Sequence, residues 1–145
     1  MSDPLYRKEI LRLAADAHGA GRLPSPTVTG TAHNPACGDK VVIDLETDAQ
    51  GRVVAIAQEA KACVLTQASA SILGDRLKGA SREDVEDLAN ALGTMLVANG
   101  DPPPAPFDPY SAFRGAVTHR NRHHCVLLPI EAVLDAFDKA ANQLE

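Results

Sequence analysis

The apolar positions change their period several times along the chain. Tyr6, Ile10, Leu13 and Ala17 recur at helical spacing. Asp3-Pro4 fits an N-cap followed by proline at the first helical position, and His18-Gly19 fits a stop. A loop rich in Gly, Pro and Ser (19–26) leads into a strand over 27–33. Val41, Ile43 and Leu45 then alternate with Val42, Asp44 and Glu46, the period-2 pattern of a half-buried strand. Asp48-Ala49-Gln50-Gly51 reads as a turn, and the return strand starts at Val53. Beyond Cys63 the period becomes helical again, with Leu65, Ala68 and Ile72 on one stripe and Leu73 and Leu77 beside it. The small residues Ala68-Ser69-Ala70-Ser71 permit close packing of that helix. Ser81-Arg82-Glu83-Asp84 fits a capping box. It opens an amphipathic helix through Val85, Leu88, Leu92, Met95 and Leu96, which Asn99-Gly100 ends. Residues 102–109 are proline-rich and read as an extended connector, followed by a short helix over 110–117. After a polar, basic stretch from Thr118 to His124, a last helical stripe runs through Ile130, Val133, Leu134, Phe137 and Ala141, with Pro129 in its first turn.

These elements predict an α+β fold, with a small antiparallel sheet and about five helices. The hairpin register matters for chemistry. If Thr47 pairs with Arg52, paired positions sum to 99, so Asp39 faces Ala60 and Cys37 faces Ala62. That pairing brings Cys37, Asp39 and Cys63 to one end of the sheet.

Composition narrows the function classes. The 145 residues are expected to form one domain spanning 1–145, with residues 100–118 a proline-rich insertion within it. Nineteen acidic against 14 basic residues give a net charge of −5. This argues against a nucleic-acid surface and against a polybasic membrane anchor. No apolar run reaches the length of a membrane span, and charges interrupt the N-terminal MSDPLYRKEILRL where a signal peptide needs an apolar stretch. The expectation is a cytoplasmic protein, where disulfides are uncommon.

The three cysteines therefore act as packing groups, metal ligands or reactive thiols. Each stands near an expected element boundary. Cys37 lies on the turn Asn34-Pro35-Ala36-Cys37-Gly38-Asp39. Cys63 stands at a helix start, where free N–H groups and the helix dipole favour thiolate, with Lys61 close by. Cys125 follows His124, so one loop offers sulfur and nitrogen ligands together. Three thiolates with Asp39 or His124 suit tetrahedral zinc, and thiolates also suit iron–sulfur clusters. With Asp39 as fourth ligand a divalent ion leaves a net −2, and Lys61, Arg120 and Arg122 stand ready to moderate it. His33 and His119 have no comparable geometric argument. The ligands are 26 and 62 residues apart, which is not a zinc-ribbon pattern. Spacing alone leaves a metal site and a thiol site both open.

The segments Asn34-Pro35-Ala36-Cys37-Gly38-Asp39, Lys61-Ala62-Cys63 with Gln67-Ala68-Ser69-Ala70-Ser71, and His124-Cys125-Val126-Leu127-Leu128-Pro129 resemble the ligand segments of U-type iron–sulfur assembly proteins. These are IscU, SufU and the N-terminal domain of NifU, and the resemblance covers roughly residues 5 to 140. It implies a three-stranded antiparallel sheet packed against helices, the SufE/NifU-like fold, with the metal site exposed at one tip. It implies Cys37, Asp39, Cys63 and Cys125 as ligands, with His124 at the place of a ligating histidine in the IscU branch. The stretch between Cys63 and Cys125 resembles the insertion of SufU proteins, although SufU-like members usually lack that histidine. In place of the LPPVK chaperone-recognition motif the chain reads Thr118-His119-Arg120-Asn121-Arg122, which argues against an IscU-type Hsp70 partner.

The resemblance implies a protein that accepts sulfur from a cysteine desulfurase, with Zn²⁺ holding the resting site and Cys37 as the acceptor thiol. Apo iron–sulfur proteins would be the recipients. The alternatives are an IscU-like scaffold carrying iron or a [2Fe–2S] cluster, and an interaction module with a purely structural zinc. In each case the chain is a transfer partner or scaffold rather than an independent hydrolytic enzyme. A cysteine hydrolase fits poorly, since His124 is adjacent to Cys125 and badly placed as its general base.

Overall fold

The alternating stretches between residues 28 and 61 form a three-stranded antiparallel sheet of order β1 (Val28–Asn34), β2 (Asp39–Thr47), β3 (Val53–Lys61). A computed structural model describes residues 7–35 and 38–143. The expected N-cap Asp3-Pro4, together with Tyr6 and Cys37, lies outside the described residues. Helices α1 (Lys8–Asp16), α2 (Val64–Arg76), α3 (Arg82–Ala98) and α4 (His123–Gln143) and a 3₁₀ segment (Asp108–Ala116) complete the fold. The α+β architecture is the expected one.

Local chemistry accounts for most boundaries. Ser81 and Asp84 close a reciprocal capping box on α3, and Asn99 ends it in the left-handed region. Ala17 takes the left-handed cap of α1, so that helix stops just before the expected His18-Gly19. The Ala68–Ser71 run is buried on every side, because α2 packs against α1, α4 and β3 together. Gly74 touches the end of α1 so closely that a Cβ there would lie 1.9 Å from the His18 carbonyl oxygen.

The β2–β3 register differs from expectation. Most pairs sum to 101, as in Lys40 opposite Lys61, with an irregularity at Glu46/Thr47. Arg52 is taken into the loop: its N–H donates to Asp48 Oδ1 at 3.0 Å and its carbonyl accepts from the Asp48 N–H at 2.9 Å. Thr47 therefore pairs with Val53. A shift of two keeps every side chain on its expected face and moves Lys61, not Glu59, to the level of Lys40.

Helix α4 also departs from expectation. It starts at His123, so Pro129 lies inside it rather than in its first turn, and Cys125 sits on a helical turn rather than in a loop. Proline at 129 has no N–H for the carbonyl four residues back, that of Cys125. The Thr66 hydroxyl of α2 donates to that carbonyl instead, at 2.9 Å, and the loss inside the helix is made good. One turn along α2, the Ser69 hydroxyl donates to the Val126 carbonyl at 2.7 Å.

The proline-rich stretch supplies aromatic core rather than mere connection. Phe107, Tyr110 and Phe113 are all buried. The last two rings stand 5.6 Å apart, and the Tyr110 hydroxyl is within 2.9 Å of Ser69 Oγ. All strands and helices contribute to one buried cluster. Among the described residues, no helix is long and apolar enough to cross a membrane.

Both sheet edges are occupied. The loop after α1 lies along β3: the Gly21 N–H donates to the Gln58 carbonyl (2.9 Å) and the Gln58 N–H to the Gly19 carbonyl (2.8 Å). On β1, the Thr31 N–H donates to Asp135 Oδ2 of α4 at 2.8 Å. Helix α4 crosses β1 at Gly30, where a Cβ would lie 2.1 Å from the Ala132 carbonyl oxygen and 2.4 Å from the Ala136 nitrogen. Asp44, fully buried on β2, accepts from Arg22 Nε (2.6 Å) and Nη2 (3.1 Å), the Leu23 N–H (3.1 Å) and the Thr29 hydroxyl (2.6 Å).

Two predictions follow from these contacts. Gly30→Ala should destabilise the protein by about 3 kcal/mol, since backbone rather than a flexible side chain must give way; denaturant midpoints measure it. Burial pushes the Asp44 carboxyl up, but Arg22, Thr29 and the Leu23 N–H outweigh it and hold the carboxyl below its ordinary value. Its contribution to stability is thus present above the ordinary aspartate range, about pH 4, and is lost as pH falls through the lower folded value. Asp44→Asn should lower stability near neutral pH and flatten the acid limb; an unchanged acid limb would refute the assignment.

Candidate metal centre

Three elements meet at the end of the sheet distal to the β2–β3 turn. Asp39 is the first residue of β2, paired with Asn34, the last residue of β1. Cys63 is the N-cap of α2, two residues past the end of β3. Cys125 lies in the first turn of α4. Asp39 and Cys125 are buried and Cys63 is half-buried. One carboxylate oxygen and two Sγ atoms lie within 4.8 Å of one another. Cys125 Sγ is 4.0 Å from Asp39 Oδ2.

The sheet register puts Asp39 on the inner face, toward the helices, and Lys40 on the outer one. His33, Lys40 and Lys61 form a row across the three strands on that outer face, all exposed. Lys61 thus stands on the side of the sheet away from Asp39, while Arg122 interacts with the Cys125 thiol. Burial, with the Cys63 thiol beside it, pushes the Cys125 thiol up to about 11, and Arg122 pulls the other way. Metal-free, Cys125 is a thiol at neutral pH. Two thiols and a carboxylate with these spacings match the donor chemistry of zinc or iron, which would displace the thiol protons on binding.

The expected ligands are distributed as follows. Asp39, Cys63 and Cys125 converge. Cys37 lies outside the described residues, in the β1–β2 connection two positions before Asp39. That connection closes with the Gly38 N–H donating to the Asn34 carbonyl at 2.9 Å, and Gly38 adopts φ +74°. His124 is not brought into the group. Adjacent helical residues diverge by about 100°, and the His124 ring instead lies at 2.7 Å from Glu131 Oε2, half-exposed. His33 and His119 are likewise outside it, and the His119 ring contacts the Gly115 carbonyl. Sequence reasoning missed Thr66, whose Oγ1 is 3.5 Å from Cys63 Sγ while it holds the Cys125 carbonyl. A polar residue on the buried stripe of α2, paired with a proline four residues after Cys125, was the available signal.

The chain has relatives among known proteins. The profile of the NifU-like N terminal domain matches residues 5–101. Two curated relatives are named iron–sulfur cluster assembly scaffold protein IscU. The one from Streptococcus pyogenes is 26% identical over 110 residues, 76% of this chain and 69% of that protein. The one from Thermotoga maritima is 32% identical over 91 residues, 63% of each. Among solved structures, the N-terminal NifU-like protein of Brucella abortus superposes with a TM-score of 0.91 at 31% identity, over 97% of both chains. A candidate SUF-system assembly scaffold from Fervidobacterium islandicum shares the fold, with a TM-score of 0.82 at 19% identity over 94% of this chain and 99% of that one. With two thirds of its length matched, the chain belongs to the NifU-like N-terminal domain family.

Proposed function

We propose that this protein works in iron–sulfur cluster assembly, accepting sulfur from a cysteine desulfurase at a site of Cys37, Asp39, Cys63 and Cys125. The observation that carries the reading is the convergence of Asp39, Cys63 and Cys125 from three separate elements within 4.8 Å. The curated relatives named as assembly scaffolds support the broader role in cluster assembly.

Zinc is the resident ion in this reading, and it would keep its thiolate ligands deprotonated near neutral pH. Cys63 and Cys125 stand on helices held together through Thr66 and Ser69, so they serve as the fixed side of the site. Cys37, on the Pro- and Gly-flanked connection, serves as the acceptor. Its thiolate attacks the outer sulfur of the desulfurase persulfide. One S–S bond forms as another breaks, the desulfurase cysteine leaves as thiolate, and Cys37 carries the persulfide without any external oxidant. Apo iron–sulfur proteins would receive the sulfur or the finished cluster.

The scaffold reading, in which the same cysteines hold a [2Fe–2S] cluster as cargo, is favoured by the names of the curated relatives. A purely structural zinc is disfavoured by the single large aliphatic and aromatic core, which gathers residues from every strand and α-helix and reaches well beyond Cys125 and Cys63.

Metal analysis of the anaerobically purified protein, with desulfurase turnover measured on its addition, tests the proposal. About one zinc per chain and faster turnover are expected. Cys37→Ser should abolish persulfide acceptance and leave the fold intact, and unimpaired acceptance would refute Cys37 as the acceptor. Iron with acid-labile sulfide would select the scaffold reading. Chelation should lower the melting temperature but preserve the far-ultraviolet circular dichroism, whereas global unfolding would select the structural-zinc reading.

A further inference from the structure

Thr66 is fully buried, yet its hydroxyl lies between the two thiol-bearing helices. It donates to the Cys125 carbonyl at 2.9 Å and sits 3.5 Å from Cys63 Sγ. That carbonyl lacks its helical N–H partner, because residue 129 is proline. One hydroxyl thus contacts the side chain of one candidate ligand and the backbone of the other. Ser69 provides an internal comparison. It makes a similar bond from α2 to α4, to the Val126 carbonyl at 2.7 Å, but neither Cys63 Sγ nor Cys125 Sγ is among its partners.

We infer that Thr66 is a positioning residue of the metal site: its hydroxyl sets the placement of Cys63 Sγ relative to the backbone of Cys125, and so the spacing of the two sulfurs. The inference rests on the metal-site reading above. A packing role alone would make Thr66 and Ser69 equivalent, since both join α2 to α4 through a buried hydroxyl. A positioning role makes them differ in metal binding while they remain alike in folding. Polar groups behind metal ligands commonly govern affinity in this way, and their loss costs about 10–100-fold. Pro129 adds a second handle. In Pro129→Ala a backbone N–H can satisfy the Cys125 carbonyl, so the helix no longer needs Thr66 even though the site still does.

The test uses the full chain, with zinc affinity measured by competition against a chromophoric chelator and cobalt(II) substitution read by its thiolate charge-transfer and d–d bands. Melting temperatures of the metal-free proteins are recorded alongside. Thr66→Val should weaken zinc binding about 10–100-fold and shift the cobalt spectrum. Thr66→Ser should restore both. Ser69→Ala should lower the melting temperature and leave the affinity and spectrum unchanged. Should Thr66→Val alone fold poorly, the double variant Thr66→Val with Pro129→Ala should regain stability but not affinity. Equal weakening by Ser69→Ala, or full affinity in the double variant, would overturn the positioning role. Should the parent chain bind neither zinc nor cobalt, the metal-site reading fails and this inference goes with it.

Discussion

The position of α4 governs the site, and the contact that sets it is between backbones. At Gly30 the helix lies against β1 with no room for even a methyl group. A strand residue without a side chain lets a helix approach more closely than sheet–helix packing ordinarily allows. The Asp135 carboxylate then bonds to the Thr31 N–H beside the crossing. Because β1 is paired in register with β2, placing α4 on β1 also places Cys125 against Asp39. The ligand geometry is thus a consequence of main-chain approach more than of side-chain packing.

The second fixed relation is between α2 and α4, and it shows how a local defect becomes a tertiary bond. Pro129 costs α4 a hydrogen bond, and in a buried helix the freed carbonyl has no water to turn to. Thr66 meets that need from another helix. Among the described residues no buried side-chain nitrogen or oxygen is left without a partner. Buried Ser and Thr, poor choices for an apolar core, here hold two helices in one rotational setting.

Much of this was legible in the chain, for identifiable reasons. Period-2 and helical patterns marked the strands and the main helices, and the Ser81–Asp84 box and Asn99 gave clean ends to α3. Asp39 and Cys63 could be brought to one end of the sheet from the hairpin alone, even with the register off by two, because such an error preserves facing. What was missed involved interactions distant in sequence. Arg52 joined the turn through the Asp48 carboxylate, which periodicity does not record. Pro129 signalled a helix start by local rules but lies within α4, because Thr66, 63 positions away, compensates for it. His124 looked available in a loop and instead faces Glu131 on a helix.

The occupied sheet edges bear on how other proteins can approach. An open strand edge invites any extended peptide, including another copy of the same chain, to extend the sheet. Here the loop after α1 already bonds along β3, and Asp135 takes the outward Thr31 donor of β1. With those main-chain groups engaged, a three-stranded sheet is closed to promiscuous strand addition at these points. On the outer face of the sheet, His33, Lys40 and Lys61 form an exposed row of side chains. Self-association through the sheet is disfavoured at these points by the same hydrogen bonds that hold the loop in place.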